Sequence, residues 1–242
     1  MTLRINCWSG PRNVSTALMR SFGQRFDSRV VDEPLYGHYL ATAAPPHPRP
    51  PELLAQLETD AEIAIRDTIL GPCDRPMLYC KQMAHHLIEN VPLGWLAECL
   101  NVLLIRDPVE VLSTIVRDFD QPTMRDVGFA RQVQLLDELR AMGQEPPVID
   151  ARELLFDPAA VLEQLCDRVG IAYDPAMLHW PAGPRPEDGP WAPYWYANVH
   201  SLTGFAPYRP KTNPFPEQCR ELLTECRPLY EQLLALAIRA PR

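Results

Sequence analysis

Three short runs concentrate the residues able to do chemistry. The first is Cys7-Trp8-Ser9-Gly10-Pro11-Arg12-Asn13-Val14-Ser15-Thr16-Ala17-Leu18-Met19. An apolar strand turns through Gly10 and Pro11 into a helix that carries Leu18, Met19 and Phe22 on one side. A strand, loop and helix in this order aim backbone N–H groups and the positive end of a helix dipole at one point, which suits a phosphate or sulfate group. A Walker A loop would close on Gly-Lys-Ser/Thr. Here Val14 and Ser15 precede Thr16, so the lysine that reaches a triphosphate is missing. The loop offers instead a cation, Arg12, and two hydroxyls, Ser15 and Thr16. A strand-to-helix turn in any α/β protein would look similar, so the loop alone does not decide.

The second run is Val102-Leu103-Leu104-Ile105-Arg106-Asp107-Pro108-Val109-Glu110-Val111-Leu112-Ser113-Thr114. Four apolar residues without alternation mark a central parallel strand. Asp107 as N-cap, Pro108 as first helical residue and Glu110 as reciprocal capping-box acid predict an abrupt helix start. That leaves Arg106 at the strand tip and Thr114 about two turns on. Capping explains Asp-Pro-x-Glu but not Arg106. The third set lies at the ends of two more strands: Glu33 in Asp32-Glu33-Pro34, and Lys81 and His85 in Lys81-Gln82-Met83-Ala84-His85-His86. Ligands of open α/β sheets collect at strand carboxyl ends, so Glu33 is a candidate general base and Lys81 and His85 candidate site-lining groups. A solvated turn acid and a partly buried histidine are the plain alternatives. Neighbouring histidines point apart and no third ligand has metal spacing, so zinc is not expected.

The elements that must position these residues follow from periodicity. Leu3 to Trp8 reads as the first strand, but Arg4 and Asn6 alternate with its apolar residues, which argues against a central place in the sheet. Arg29 to Val31, Met77 to Cys80 and Pro147 to Asp150 read as further strands. Helices are expected over Glu52–Leu70, Thr123–Met142, from Asp157 to a stop at Gly170, and over Glu217–Arg239 with a kink at Pro228. Pro45 to Pro51 is a proline-rich connection. Between Tyr173 and Pro216 prolines recur and Trp180, Trp191, Tyr194, Trp195, Tyr196 and Tyr208 crowd in, the texture of a packed lobe or lid over a pocket.

The loop and the Arg106 run together resemble the PAPS-dependent sulfotransferases. In that family the 5′-phosphosulfate loop reads Pro, Lys or Arg, a small residue, Gly, and two hydroxyl residues. It is matched here by Pro11, Arg12, Asn13, Val14, Ser15 and Thr16, with Val14 at the glycine position and Ala17 where cytosolic members carry tryptophan. The 3′-phosphate motif is an arginine, Asp or Asn, Pro, and a serine eight positions after the arginine. Arg106 matches it, with Thr114 in strict register and Ser113 one place early. The resemblance implies that Arg12 offsets charge at the bridging oxygen, that Ser15, Thr16 and the loop amides hold the 5′-phosphate, and that Arg106 with Thr114 or Ser113 holds the 3′-phosphate. It also implies that Arg209 and Lys211 complete that second site. Family members use a histidine or a glutamate as base. Glu33 matches the glutamate of several bacterial and Golgi-type members, whereas Lys81 and His85 only loosely resemble the Lys-Thr-His of cytosolic ones.

The fold implied is a P-loop-type three-layer α/β domain over residues 1–242, with a mostly parallel sheet, helices on both faces and the 173–216 lobe near the C-terminus. The reaction implied is sulfuryl transfer from PAPS to a hydroxyl or amine of a small-molecule acceptor, with PAP as product and no metal required. An ATP-dependent small-molecule kinase would share the strand, loop and helix but needs Mg²⁺ and a Walker lysine. A non-catalytic nucleotide-binding protein would share everything except a working base.

Bulk properties are consistent with this. The chain has 242 residues, 46% of them hydrophobic, enough for a real core. Its net charge of −8 argues against a nucleic-acid surface. No apolar run approaches the ~18 residues of a membrane span, and the first residues lack a secretory h-region. Seven cysteines without CxxC pairs fit a reducing cytoplasm. The aromatic lobe suits an apolar or cationic acceptor, and no pattern specifies an oligomeric state.

Overall fold

The first strand, despite its polar alternation, lies in the middle of the sheet. The computed structural model describes residues 2–43, 45, 50–210 and 214–241. Strands β1 (Leu3–Ser9), β2 (Ser28–Asp32), β3 (Met77–Met83), β4 (Leu100–Ile105), β5 (Val148–Asp150) and β6 (Ala237–Ile238) form one sheet in the order β2-β3-β1-β4-β5-β6. Every ladder is parallel, and the isolated bridge between His179 and Gly204 is antiparallel. Arg4 and Asn6 of β1 find hydrogen-bond partners inside the fold, though Asn6 Nδ2 has none. The Arg4 guanidinium donates to the carbonyls of Ile69, Leu70 and Gly71 at 2.7–2.9 Å, and Asn6 accepts from Gln82 of β3 at 3.1 Å. Alternation therefore marked internal hydrogen bonding here, where solvent exposure was expected.

Helices cover both faces. In chain order they are α1 (Ser15–Phe22), α2 (Tyr36–Ala43), α3 (Pro50–Leu54), α4 (Ala61–Ile63), α5 (Pro108–Ile115), α6 (Met124–Val127), α7 (Phe129–Ala141), α8 (Ala151–Phe156), α9 (Pro158–Arg168), α10 (Ala192–Trp195), α11 (Ala197–His200) and α12 (Arg220–Leu234). Alternate strand residues go to opposite cores, as the two-residue period requires. Ile5, Cys7, Val102 and Leu104 pack with Leu18, Phe22, Leu162 and Leu165 of α1 and α9. Trp8, Leu103 and Ile105 pack with Leu112, Leu136 and Leu233 of α5, α7 and α12. A third cluster joins Tyr36, Tyr39 and Leu40 of α2 to Trp191, Ala192 and Tyr196 of the aromatic lobe.

Three helix expectations need correction. Glu52–Leu70 is not one helix: α3 ends at Leu54, and Asp60 starts α4 afresh by accepting from the Glu62 and Ile63 amides, with a π turn continuing over Ala64–Ile69. Between them the chain leaves helical geometry to pass α2 so closely that a Cβ on Gly37 would lie 2.1 Å from the Glu58 carbonyl oxygen. Thr123–Met142 is interrupted at Gly128, whose φ of +76° is open to glycine at little cost. At the C-terminus α12 continues through Pro228 and stops at Leu234. Ala237 and Ile238 then join the sheet beside Val148 and Ile149. Pro45–Pro51 falls largely outside the described residues. All seven cysteines are free thiols, and among the described residues no helix is long and apolar enough to cross a membrane.

Candidate active site

The strand order puts a topological switch point at the carboxyl ends of β1 and β4. From β1 the chain runs toward β2 on one side, and from β4 toward β5 on the other, so the loops after both strands face one crevice. The β1 loop enters it through Gly10, where a Cβ would lie 2.5 Å from the Val127 carbonyl oxygen at the end of α6. Arg12 turns the loop in a left-handed conformation, φ 55°. Val14 sits at the α1 N-cap with φ −90°, ordinary for an L-residue, which explains why a valine can replace glycine there. It offers no side-chain cap, and the first turn of α1 holds no acid. The first intrahelical bond runs from the Leu18 amide to the Val14 carbonyl at 3.0 Å. The amides of Ser15, Thr16 and Ala17 therefore precede the helical ladder and point toward the crevice end of the dipole.

Around this loop the cations already have partners. Arg12 pairs with Asp118 and lies over the Trp195 ring at 5.4 Å from its centroid. Asn13 donates to the Leu104 carbonyl at 3.0 Å and accepts from the Val14 amide, fixing the loop to β4. Gln132 of α7 strengthens the same junction by donating to the carbonyls of Trp8 and Leu104. Arg106 donates to the Arg12 carbonyl at 2.9 Å and grips Glu110 through two nitrogens at 2.8 and 2.7 Å. Glu110 thus forms no capping box: a two-pronged charge-assisted bond outcompetes a single bond to a neutral amide. Asp107 does cap α5, accepting from the Val109 amide at 2.8 Å. Thr114 donates to the Glu110 carbonyl at 2.9 Å.

The opposite wall comes from β2, β3 and α2. Glu33 follows β2 in a left-handed turn, φ 44°, donating its amide to the Lys81 carbonyl and accepting at its own carbonyl from the Tyr36 amide. Among the described residues, Arg12 and Glu33 are the two non-glycine positions with positive φ, and both lie in this crevice. Strain held at such positions is characteristic of functional sites. Burial pushes the Glu33 carboxyl up to about 7; Lys81 opposes the rise and Asp32 adds to it. Lys81 lies inside β3, two residues before its end, and not after the strand as its polarity suggested. Burial works against its ammonium, but Asp32 and Glu33 outweigh it and hold Lys81 well above its usual range. Burial pushes His85 down to about 4 and His86 well below its usual value, so both are neutral at pH 7. Their Nδ1 atoms are buried without hydrogen-bond partners, and Tyr39 packs against both rings.

These walls enclose a cavity of about 410 Å³, within the usual range for small-ligand sites. It gathers Arg12, Asn13, Val14, Ser15, Thr16, Glu33, Lys81, His85, Arg106 and Thr114, and is closed by Trp191, Trp195 and Tyr196 of the lobe. Ser113 is half-buried and does not line it, so the strict-register Thr114 is the hydroxyl that faces the cavity. Arg209 does not line it either; it is exposed, beside Tyr208, whose hydroxyl donates to Glu110 at 2.7 Å. Lys211 lies outside the described residues. Sequence reasoning missed Asp32, Tyr36, Tyr39, Asp118 and Tyr196. The Tyr36 and Tyr39 pair at helical spacing was a usable signal for one aromatic face. No local pattern could join Tyr196 to Asp32, 164 positions away. Among the described residues no cluster of three or more His, Cys, Asp or Glu is arranged to hold a metal ion.

The family model described as a sulfotransferase domain matches residues 3–237, nearly the whole chain. The chain belongs to the sulfotransferase domain family. Two Arabidopsis thaliana proteins, named branched-chain-amino-acid aminotransferase-like protein 2 and protein 1, are each 38% identical to this sulfotransferase domain over 229 residues. That stretch is 95% of this chain and 41% of theirs, so the chain spans about two fifths of the curated relatives it matches. Among solved structures, a sulfotransferase from Alicyclobacillus acidocaldarius aligns over all of this chain and 98% of its own, with a TM-score of 0.53 and 14% identity. The sulfotransferase domain from the curacin biosynthetic pathway aligns over 94% of this chain and 98% of its own (TM-score 0.51, 16% identity). That of the Synechococcus PCC 7002 olefin synthase aligns over 93% and 95% (TM-score 0.51, 15% identity). At these identities the structures establish a shared fold: a parallel six-stranded α/β sheet flanked by helices.

Proposed function

We propose that this sulfotransferase domain, one unit over residues 1–242 with residues 173–216 as a lid, transfers a sulfuryl group from PAPS to a hydroxyl or amine of a small-molecule acceptor, leaving PAP. The observation that carries the reading is the shared cavity. An uncapped helix N-terminus with two hydroxyls, an arginine and a threonine from a second strand-helix junction, and a carboxyl raised to about 7 all border one space. The donor fits the residues present: the amides before the α1 ladder and the Ser15 and Thr16 hydroxyls suit its 5′-phosphate, and Arg106 with Thr114 suits its 3′-phosphate.

The donor supplies a sulfuryl group on a phosphate leaving group. Alignment and charge stabilisation are then the protein's main contributions. Arg12, exchanging Asp118 for the ligand, offsets charge on the bridging oxygen. Glu33 takes the acceptor's proton; a base with a pKa near 7 is half ionised at neutral pH and still strong enough to act. His85, neutral and with a pKa near 4, is a weaker base and lines the site. A sulfuryl group carries less negative charge than a phosphoryl group, so the arginine serves without a required metal. Tyr36, Tyr39 and Trp191 give the acceptor side an aromatic surface for an apolar or cationic molecule. The free thiols suit a reducing cytoplasm.

Calorimetric titration with adenosine 3′,5′-bisphosphate tests this, with 5′-AMP and ATP, each with and without Mg²⁺, as comparators. Binding of the bisphosphate should exceed that of 5′-AMP by about 100-fold, since the 3′-phosphate adds charge-assisted contacts. Preference for ATP with Mg²⁺, or no binding of the bisphosphate, would overturn the reading.

A further inference from the structure

Lys81 has no donor to spare for a ligand. An ammonium carries three protons, and those of Lys81 go to Asp32 Oδ1 at 2.8 Å, to Tyr196 Oη at 2.7 Å and to Glu33 Oε1. Tyr196 is likewise saturated. Its hydroxyl donates to Asp32 Oδ2 at 2.6 Å and accepts from Lys81 and from Trp191 Nε1, the latter at 3.2 Å. Asp32 Oδ2 also accepts from the Gly189 amide at 3.1 Å. The side chains of Lys81 and Asp32 are 2% and 1% exposed, so releasing the ammonium toward a phosphate would break buried charge-assisted bonds and strand Asp32. Glu33 is held by one oxygen only. Its Oε2 lies 3.9 Å from His86 Nε2, beyond hydrogen-bond range, and the carboxyl borders the cavity.

We propose that Lys81 is a positioning residue and not a donor ligand: with Asp32 and the lobe residue Tyr196 it pins one oxygen of Glu33 and leaves the other to take the acceptor's proton, so that seating the lobe completes the base. The proposal rests on the sulfotransferase reading for the role of Glu33, but the network itself can be tested without donor or acceptor. The groups facing Glu33 are Asp32 from β2, Lys81 from β3, Tyr36 from α2, His86 from the turn after β3, and Tyr196 from the lobe. Of these, Lys81 is held well above its usual range and pairs with Asp32. Asp32→Asn would remove a carboxyl neighbour and leave the ammonium to Glu33. Tyr196→Phe would take the hydroxyl donor from Asp32, which would then draw the ammonium away from Glu33.

The experiment is a carbon-13 NMR titration of glutamate carboxyls, with Glu33 assigned by the signal lost in Glu33→Gln, alongside bisphosphate calorimetry. The wild-type midpoint should lie at about 7. Asp32→Asn should lower it by about one pH unit or more, and Tyr196→Phe, which keeps the ring, should raise it by about half a unit. The double variant Asp32→Asn with Lys81→Met removes the opposite charges together and should bind the bisphosphate within about threefold of wild type, whereas loss of a phosphate-binding cation costs about tenfold or more. Unchanged midpoints in both single variants, or a tenfold loss of bisphosphate affinity in the double variant, would overturn the proposal. If the wild type binds no bisphosphate, the donor reading fails and the carboxyl titration alone decides the network.

Discussion

Replacing Arg106 by alanine should damage stability and ligand binding by two separable routes. In the wild type its guanidinium holds Glu110 at 2.7–2.8 Å and the Arg12 carbonyl at 2.9 Å. Glu110 is only 7% exposed, and without Arg106 it would keep Tyr208 as its remaining side-chain donor. Stranding one member of a fully buried pair costs about 3–5 kcal/mol. Because the arginine side chain is 17% exposed and water can enter where it stood, we expect about 2–3 kcal/mol. At a urea m-value of about 2 kcal/mol/M, this lowers the unfolding midpoint by roughly 1 M. Adding Glu110→Ala removes the stranded charge and should recover most of that loss. Binding should not recover: a guanidinium-phosphate contact worth about 1.5–3 kcal/mol corresponds to roughly 10- to 150-fold in affinity for adenosine 3′,5′-bisphosphate. Urea unfolding and calorimetry on the single and double variants separate the routes. Recovery of bisphosphate affinity in the double variant would refute the assignment, since Arg106 would then act only through the fold.

Four further outcomes follow from the same geometry. Glu33→Gln should lower turnover about 10²–10⁴-fold while bisphosphate affinity stays within about twofold, measured by sulfuryl-transfer assay and calorimetry. In the wild type, kcat/KM should be flat above the Glu33 value of about 7 and fall on the acid side. Because the folded carboxyl is raised above its usual value of 4.5, the native state holds the proton more tightly in between. Its contribution to stability is therefore fully present below about 4.5 and lost as pH rises through about 7, a slope that urea midpoints should show and Glu33→Gln should lack. Gly10→Ala would put a Cβ 2.5 Å from the Val127 carbonyl oxygen; relief requires backbone movement, so stability should fall by about 1–3 kcal/mol and bisphosphate affinity with it, read by thermal unfolding and calorimetry.

The residues of the proposed donor side could be picked out together because its parts are local. Gly10 to Thr16 and Arg106 to Thr114 are each one strand-to-helix junction, and a junction writes its turn, cap and first helical turn into consecutive residues. Two such junctions meet in space because parallel connections leave a switch point between β1 and β4. Polar residues inside strands were misread for a related reason. Arg4 and Lys81 donate to carbonyls and carboxylates distant in the chain, and Asn6 accepts from the Gln82 amide; a local polarity pattern cannot tell such a residue from one facing water. Breaks in the expected helices at Asp60 and Gly128 arise where a neighbouring element passes within contact of a glycine, at Gly37 and Gly10. Such close approaches are tertiary facts.

On the proposed acceptor side the sequence offered Glu33, Lys81 and His85 one by one, but not the contacts that join them, because those come from distant parts of the chain. Glu33 alone reads as a turn acid before a proline. Its raised pKa comes from burial, which Asp32 reinforces and Lys81 opposes. The lysine is held in turn by a tyrosine 115 positions further along the chain. Asp188, adjacent to the lobe segment that meets Asp32, is itself held at 2.7 Å by the buried Arg20 of α1, the helix that opens the donor loop. One lobe is thereby fastened to both walls of the cavity, at Arg20 of α1 and at Asp32 beside Glu33. A sulfuryl donor risks hydrolysis when its loop is occupied and water can reach it. On the reading proposed above, a lobe that completes the base only when seated over the donor loop would couple exclusion of water to readiness for transfer, and loosening either fastening should raise donor hydrolysis relative to transfer.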